Sequence, residues 1–489
     1  MRRKAVQKII CSENALDETC ICKIISPFLL PIQTICQFLL LSFDKVLKIE
    51  LEEYYLKREY LSPPPPPPAI RNAMAKSFER KVRGLPTFDF SSGNVGNLLL
   101  KEKIFESFNV EVDKSLPTEL RQIAEGLRKG LIESYYPHPK GLAYSPTGGT
   151  ESIKRLVVRY FREIHGVPLL DNDLDKVIVT AGGQQAMMAA LRALKPGTKI
   201  LLSRWEYSPI PAIIKDHNLS EVRVEINDDL SINIDDLKKK VGENPVFYIS
   251  MPNNPTGYVS PEDLMNIAEV MSVNHGGLIW DAPYLFTILR LNEKRATFDE
   301  TFLQEIIEKF RRIAKNYYEN MCILSSLSKT CLIAGLRFGF ATACEEWIAN
   351  MEAIIGRENL SSPTPSFIIG AHLLESFLKN PISHKWVCKI LAERLTVLME
   401  EIYEHLILPK NGIFGALYTL VKTGRSDGKT FADKLIAKYG IVTVPADSFY
   451  GGPVNAVRLS LVSVPWSEGD EEWISGVKAL KQALHEITQ

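Results

Sequence analysis

The 489-residue chain carries no surplus of either charge: lysine plus arginine and aspartate plus glutamate each number 58. Without a basic excess it has no electrostatic footprint for a nucleic-acid partner. It also has no C-x-x-C pair. Its eight cysteines lie scattered at 11, 20, 22, 36, 322, 331, 344 and 388, and its eight histidines do not gather around them at ligand spacing. No metal site is therefore expected, and a chain this long has no need of a disulfide framework. Internal repeats at solenoid periods are missing too. What remains is 45% apolar and 24% charged residues, an ordinary globular make-up with enough apolar material for a large core.

Residues 24–43 run without a charge for the length of a spanning helix. Pro27, Pro31, Gln33 and Gln37 would make it a poor one, and Glu13, Asp17 and Glu18 upstream differ from the basic flank of a signal peptide. The stretch reads as a surface helix or an extension without fixed structure, and a cytoplasmic protein is expected. Six consecutive prolines at 63–68 then bar a continuous helix or strand and favour a stiff spacer. Residues 1–68 form an N-terminal extension whose role is not legible.

From about residue 176 to 340, short apolar runs alternate with helical patterns. Runs at 177–180, 199–203, 246–250, 278–281 and 321–326 have strand length and β-branched content. Helical patterns at 184–194, 261–273 and 302–317 lie among them. That rhythm predicts an α/β fold with a mainly parallel central sheet sandwiched by helices. Further strand candidates at 416–421, 441–444 and 456–462 suit a smaller α+β domain. The expected division is 69–140 and 351–489 as the two parts of that small domain, with 141–350 as the large one.

In an open parallel sheet, ligands sit beyond the carboxyl ends of the strands. Four strand candidates end there in polar clusters. Thr180-Ala181-Gly182-Gly183-Gln184-Gln185 joins strand to helix, where glycines let backbone N–H groups approach an anion, although a bare tight turn looks the same. Pro252-Asn253-Asn254-Pro255-Thr256-Gly257 makes a turn, but a turn does not need both asparagines. Trp280-Asp281-Ala282-Pro283-Tyr284 ends an apolar strand in a carboxylate that needs a cationic partner if buried. Ser325-Ser326-Leu327-Ser328-Lys329 is followed by Arg337, an expensive pairing unless an anion or an aldehyde is present.

Taken together and in this order, the clusters resemble the class I/II aminotransferases, pyridoxal-phosphate enzymes of fold type I, including the valine–pyruvate aminotransferase-like branch. The resemblance runs from about residue 69 to the end. It implies that Lys329 holds pyridoxal 5'-phosphate as a Schiff base and then moves the substrate's proton. It gives Asp281 the pyridine nitrogen, Tyr284 and Asn254 the phenolic oxygen, and Gly182, Gly183, Gln184, Ser326 and Arg337 the phosphate. Tyr207 is implied to stack on the ring, with Trp205 as the second choice for that place. Tyr144, in Tyr144-Ser145-Pro146-Thr147-Gly148-Gly149, matches the family tyrosine that reaches the partner subunit's phosphate, which implies a homodimer with shared sites. Arg458, in Val457-Arg458-Leu459-Ser460, is implied to clamp the substrate carboxylate, helped by Asn254 and by the backbone near Ser92-Gly93-Asn94.

The implied activity is ping-pong transfer of an amino group from an amino acid to a 2-oxo acid in amino-acid metabolism. The same scaffold also hosts lyases and decarboxylases, because the cofactor carries the chemistry and the protein selects the bond. A more distant reading is a cofactor-sensing transcription regulator, but residues 1–68 carry no convincing winged-helix pattern. Two positions depart from the family pattern. Leu332 stands where a glycine is usual, and Ala282 where an acidic residue is frequent.

Overall fold

The computed structural model describes residues 69–91, 98 and 112–488. Internal contacts divide the chain at residues 66 and 67, inside the proline run, and every described residue belongs to the second unit. The uncharged stretch at 24–43 lies outside the described residues. Among those described, no helix is long and apolar enough to cross a membrane.

The centre is a seven-stranded sheet. In chain order its strands are β1 (Val177–Thr180), β2 (Lys199–Ser203), β3 (Ser220–Val224), β4 (Val246–Ser250), β5 (Gly277–Asp281), β6 (Met321–Ser326) and β7 (Gly339–Thr342), and in space they run β1-β7-β6-β5-β4-β2-β3. Only β7 runs against the others. The fold is the expected helix-covered, mainly parallel one. Alternate residues explain the two layers, because successive side chains of a strand point to opposite faces. Val177, Val179, Phe247 and Trp280 pack into one core with Phe161, Leu264 and Phe310 from the helices Glu151–His165, Pro261–Val273 and Glu300–Tyr317. Ile178, Tyr248 and Ile279 face a second core with Ala186, Ala190 and Ile348 from Gly183–Arg192 and Glu345–Asn359. Strands buried on both faces read as unbroken apolar runs, which is why five of the seven are legible in sequence.

Two are not. β3 is an edge strand whose Ser220 and Glu221 are exposed, so its run is broken by polar residues. β7 is short and opens on a glycine, and its tertiary setting makes it a strand.

A four-stranded antiparallel sheet follows, in the order Leu406–Ile407, Tyr418–Lys422, Ala456–Ser460, Val444–Pro445. The run expected as one strand at 441–444 divides. Ile441–Val442 pairs instead with Phe88–Asp89 in a separate parallel pair. The helix Thr118–Tyr135 packs on Thr364–Lys379 and Ser383–Ile402, so the chain before residue 140 lies on the chain after 351.

Candidate active site

Register gathers the polar clusters at one edge of the large sheet. Gly339, opening β7, lies opposite both Thr180 and Ser326, while Asp281 lies opposite Ser250 on one side and Leu324 on the other. Antiparallel β7 thus begins where its neighbours end.

Around Gly339 the backbone draws into a close cradle. Gly182 has φ +79 and precedes the helix Gly183–Arg192, whose first turn receives no side-chain cap. Uncapped N–H groups at a helix start attract negative charge. A Cβ on Gly182 would meet the Arg337 guanidinium at 2.5 Å, and one on Gly339 would meet the carbonyl carbon of Gly182 at 2.4 Å. Glycine is needed at Gly182 for its positive φ, and at Gly339 because the facing backbone approaches too closely for a side chain. Arg337 donates to the carbonyls of Ala334 (2.8 Å) and Ala181 (3.4 Å), yet its side chain is exposed toward the space it borders. Ser326 stands beside Gly183. Gln184 accepts a hydrogen bond from the Tyr207 hydroxyl at 3.1 Å, which brings Tyr207 to the same rim. Trp205, the second choice for stacking, packs instead against Tyr450 with ring centroids 4.6 Å apart.

Asp281 is partly buried at the end of β5. The sequence leads one to expect a cationic partner, but no described cation lies within ion-pair distance. The Tyr248 hydroxyl donates to its Oδ2 at 2.8 Å instead. Burial raises the Asp281 carboxyl from 3.8 to about 6, against the opposing effects of Tyr248 and the Lys329 charge. Lys329 lies three residues past β6, with its Nζ 5.9 Å from the centre of the Tyr284 ring. Burial pulls its ammonium below the ordinary range, with Tyr418 opposing and the Arg337 and Arg458 charges adding to the fall. An amine so placed is held closer to its neutral, proton-accepting form.

Arg458 is the most telling residue. It is 1% exposed, donates to the carbonyl of Ser91 (2.9 Å) and to Asn254 Oδ1 (3.2 Å), and keeps an unbonded Nε. Its guanidinium lies 4.0 Å from the centre of the Tyr418 ring and 4.8 Å from that of Phe449. No described carboxylate pairs with it. A buried guanidinium without a carboxylate is costly unless an anion compensates it.

The structure thus brings together Gly182, Gly183, Gln184, Ser326 and Arg337 as one group, and Asp281, Lys329, Tyr284, Asn254 and Arg458 as another, with Tyr207 between them. Tyr144 is not among them: it is 84% exposed. Gly93 and its neighbours Ser92 and Asn94 lie outside the described residues, although Ser91 reaches Arg458. Sequence reasoning missed Tyr248, Glu206 and Tyr418. Tyr418 pairs in register with Ser460, two residues from Arg458, and its ring meets that of Tyr284 edge-on with centroids 6.2 Å apart. Burial alone would raise its phenol, but the Lys329 and Arg458 charges bring it below the ordinary value. A tyrosine inside an apolar strand gives no signal of its own, since core packing reads the same way.

Comparison with known proteins gives the same picture. The family described as "Aminotransferase class I and II" matches residues 132–468. An aspartate aminotransferase of Pyrococcus horikoshii is 24% identical over 392 residues, covering 76% of this chain and 89% of its own. A probable aspartate/prephenate aminotransferase of Aquifex aeolicus is 24% identical over 366 residues, covering 70% and 84%. Among solved structures, the aspartate aminotransferase of Thermus thermophilus with maleate superposes with a TM-score of 0.66 at 20% identity, over 88% of this chain and 99% of its own. These matches do not single out the valine–pyruvate branch.

Proposed function

Because the chain belongs to the class I and II aminotransferases, and is therefore a pyridoxal-phosphate-dependent enzyme of transamination, we propose that it works in two half-reactions, taking the amino group from an amino acid and delivering it to a 2-oxo acid in a ping-pong cycle. The observation that carries this reading is the convergence, at one sheet edge, of an anion cradle, a buried carboxyl, an amine with depressed proton affinity and a buried guanidinium without a carboxylate. The cofactor fits it on structural grounds. The gap around Gly182, Gly339 and Arg337 has no room for a Cβ, yet it faces exposed guanidinium and uncapped N–H groups, which suits a phosphate. Gly182, Gly183, Gln184, Ser326 and Arg337 would hold that phosphate, Asp281 the ring nitrogen, Tyr284 and Asn254 the ring oxygen, and Tyr207 the ring face. When bound, pyridoxal phosphate supplies an electron sink for the substrate's α-carbon.

The chain's own residues then divide the work. Arg458 takes the substrate carboxylate as a fork, with Asn254 fixing one side of the guanidinium. Lys329 holds the cofactor and, once displaced, takes the proton from the α-carbon and returns it, which its depressed proton affinity favours. Asp281 keeps a negative charge opposite the ring nitrogen. Tyr418 lies beside both Tyr284 and Arg458, closing the site from the small sheet.

A homodimer with shared sites completes the reading. Ile132, Tyr135, Tyr136, Leu142 and Tyr144 are all exposed within one short segment, an apolar surface suited to a second copy. A cytoplasmic setting agrees with the described cysteines, Cys322, Cys331, Cys344 and Cys388, all free thiols. A Lys329→Ala variant tests these points together. It should sediment as a dimer, retain pyridoxal phosphate without covalent attachment, and complete no half-reaction. Turnover by that variant would sink the assignment of Lys329, and a monomer would sink the shared site.

A further inference from the structure

A second buried carboxyl, Glu206, interacts electrostatically with Asp281. Glu206 is 1% exposed and accepts hydrogen bonds from Tyr207 N (2.7 Å), Ser250 N (3.0 Å) and Ser250 Oγ (2.5 Å). No described cation pairs with it. Asp281 stands across the β4–β5 pairing from Ser250. Two adjacent carboxylates in one low-dielectric site cannot both ionise cheaply, so the structure must decide which one is charged.

Tyr248 is the side chain that donates to Asp281. It lies on β4 two residues before Ser250, so both side chains leave the same face of the sheet. On β5 its register partner is Ile279, two residues before Asp281, so the phenol reaches the carboxylate along the diagonal between neighbouring strands. The Tyr248 ring is wholly buried, its hydroxyl lies 2.8 Å from Asp281 Oδ2, and no described residue donates to Oδ1. We propose that Tyr248 is a positioning residue for the cofactor ring: it holds Asp281 by one oxygen and leaves the other for the ring nitrogen. The proposal rests on pyridoxal phosphate being bound at this site.

The groups facing Asp281 are Tyr248 on β4, Glu206 and Tyr207 on the turn after β2, Tyr284 beyond β5, and Lys329 beyond β6. Burial lifts Glu206 to about 8, opposed by its three hydrogen bonds and reinforced by the charge of Asp281. Burial lifts Asp281 only to about 6, because Tyr248 and Lys329 favour its charged form. Of the two, Asp281 is the more readily ionised. A ring nitrogen that needs an anionic partner is held well above pH about 6 and poorly below it.

Replacing the phenol with a ring of the same shape removes only the donor, so Tyr248→Phe should raise the pKa of Asp281. Equilibrium dialysis of pyridoxal phosphate against the apoenzyme, across pH, reads this without any turnover. The expected result is a midpoint for loss of affinity on the acid side shifted up by about one pH unit, and affinity at neutral pH weakened several-fold. Adding Tyr248→Phe to Asp281→Asn should change nothing further, since the group that Tyr248 serves is gone. If Tyr248→Phe fails to fold, 3-fluorotyrosine at position 248 gives a stronger donor and should move the midpoint down. A wild-type midpoint in either Tyr248 variant overturns the proposal. Wild-type binding by Asp281→Asn also overturns it, by removing Asp281 from the ring nitrogen, whereas failure of the unmodified protein to bind pyridoxal phosphate overturns the cofactor reading beneath it instead.

Discussion

At the scale of single residues, surroundings carry more information than identity. Arg458 and Arg394 are both arginines at 1% exposure, yet they do different things. Arg394 is saturated: it pairs with Asp470 at 2.6 and 2.8 Å and donates to the carbonyls of Leu461 and Val464, tying the helix Ser383–Ile402 to the loop before the last helix. Arg458 has its Nε unbonded and no described carboxylate beside it. On the proposal that Arg458 binds the substrate carboxylate, Arg458→Lys, which keeps the charge but loses the fork, should lower kcat/KM by about 100-fold, ~2.7 kcal/mol, mainly through KM. Unchanged KM for every amino acid would remove Arg458 from the substrate site. Sequence shows such residues only when motif company surrounds them. Lys329, Asp281, Asn254 and Arg337 are legible because each ends a strand or opens a turn in a recognisable cluster, whereas Tyr248 and Tyr418 sit within apolar strands and look like core. Leu332 marks another limit. It stands where glycine is usual and holds φ +57, the left-handed backbone that favours glycine, while its side chain is buried. Burial of a leucine side chain, about 2 kcal/mol, offsets a left-handed penalty of about 1–2 kcal/mol, so the loop keeps its shape without the glycine.

At the scale of elements, the site exists because one strand runs backwards. β7 brings Gly339 against the Gly182–Gly183 turn, and both backbone neighbours would lie within 2.5 Å of an added Cβ. Neither can rotate away as a side chain could. Gly339→Ala should therefore pry the cradle open, weakening pyridoxal phosphate at least tenfold in equilibrium binding while costing the fold about 1–3 kcal/mol. Wild-type affinity in that variant would mean that the cradle does not hold the phosphate. The helices around the sheet announce their ends chemically: Ser260 accepts from Asp263 N, Asp299 from Phe302 N and Asn233 from Asp236 N. Pro261–Val273 was accordingly legible to the residue. The strands divide differently. Five buried strands show as apolar runs, but edge strand β3 and the buried, short, glycine-led β7 owe their state to neighbours that lie far away in sequence.

At the scale of the whole molecule, the order of the motifs along the chain is what made the family legible, since the cradle, the asparagine turn, the aspartate and the lysine follow one another as the sheet is built. Segments 69–140 and 351–489 are expected from sequence to share a small domain, but which elements within them pair is not legible. The return of Ile441–Val442 to Phe88–Asp89, and of Thr118–Tyr135 to Thr364–Lys379, joins segments separated by the whole large sheet, and no local pattern encodes such meetings. The packing of Tyr418 and Phe449 on the Arg458 guanidinium is likewise something that spacing does not describe. The central claim is that this assembly carries an amino group on a cofactor held by Lys329 and releases an oxo acid. One measurement tests it most directly: the visible spectrum of the holoenzyme, titrated with single amino acids in the absence of any oxo acid. The account predicts that at least one amino acid converts the bound cofactor stoichiometrically to its aminated form, yields one oxo acid per site, and is reversed by adding a 2-oxo acid. Release of ammonia with the cofactor left in its original form, or no spectral change with any amino acid, would contradict it.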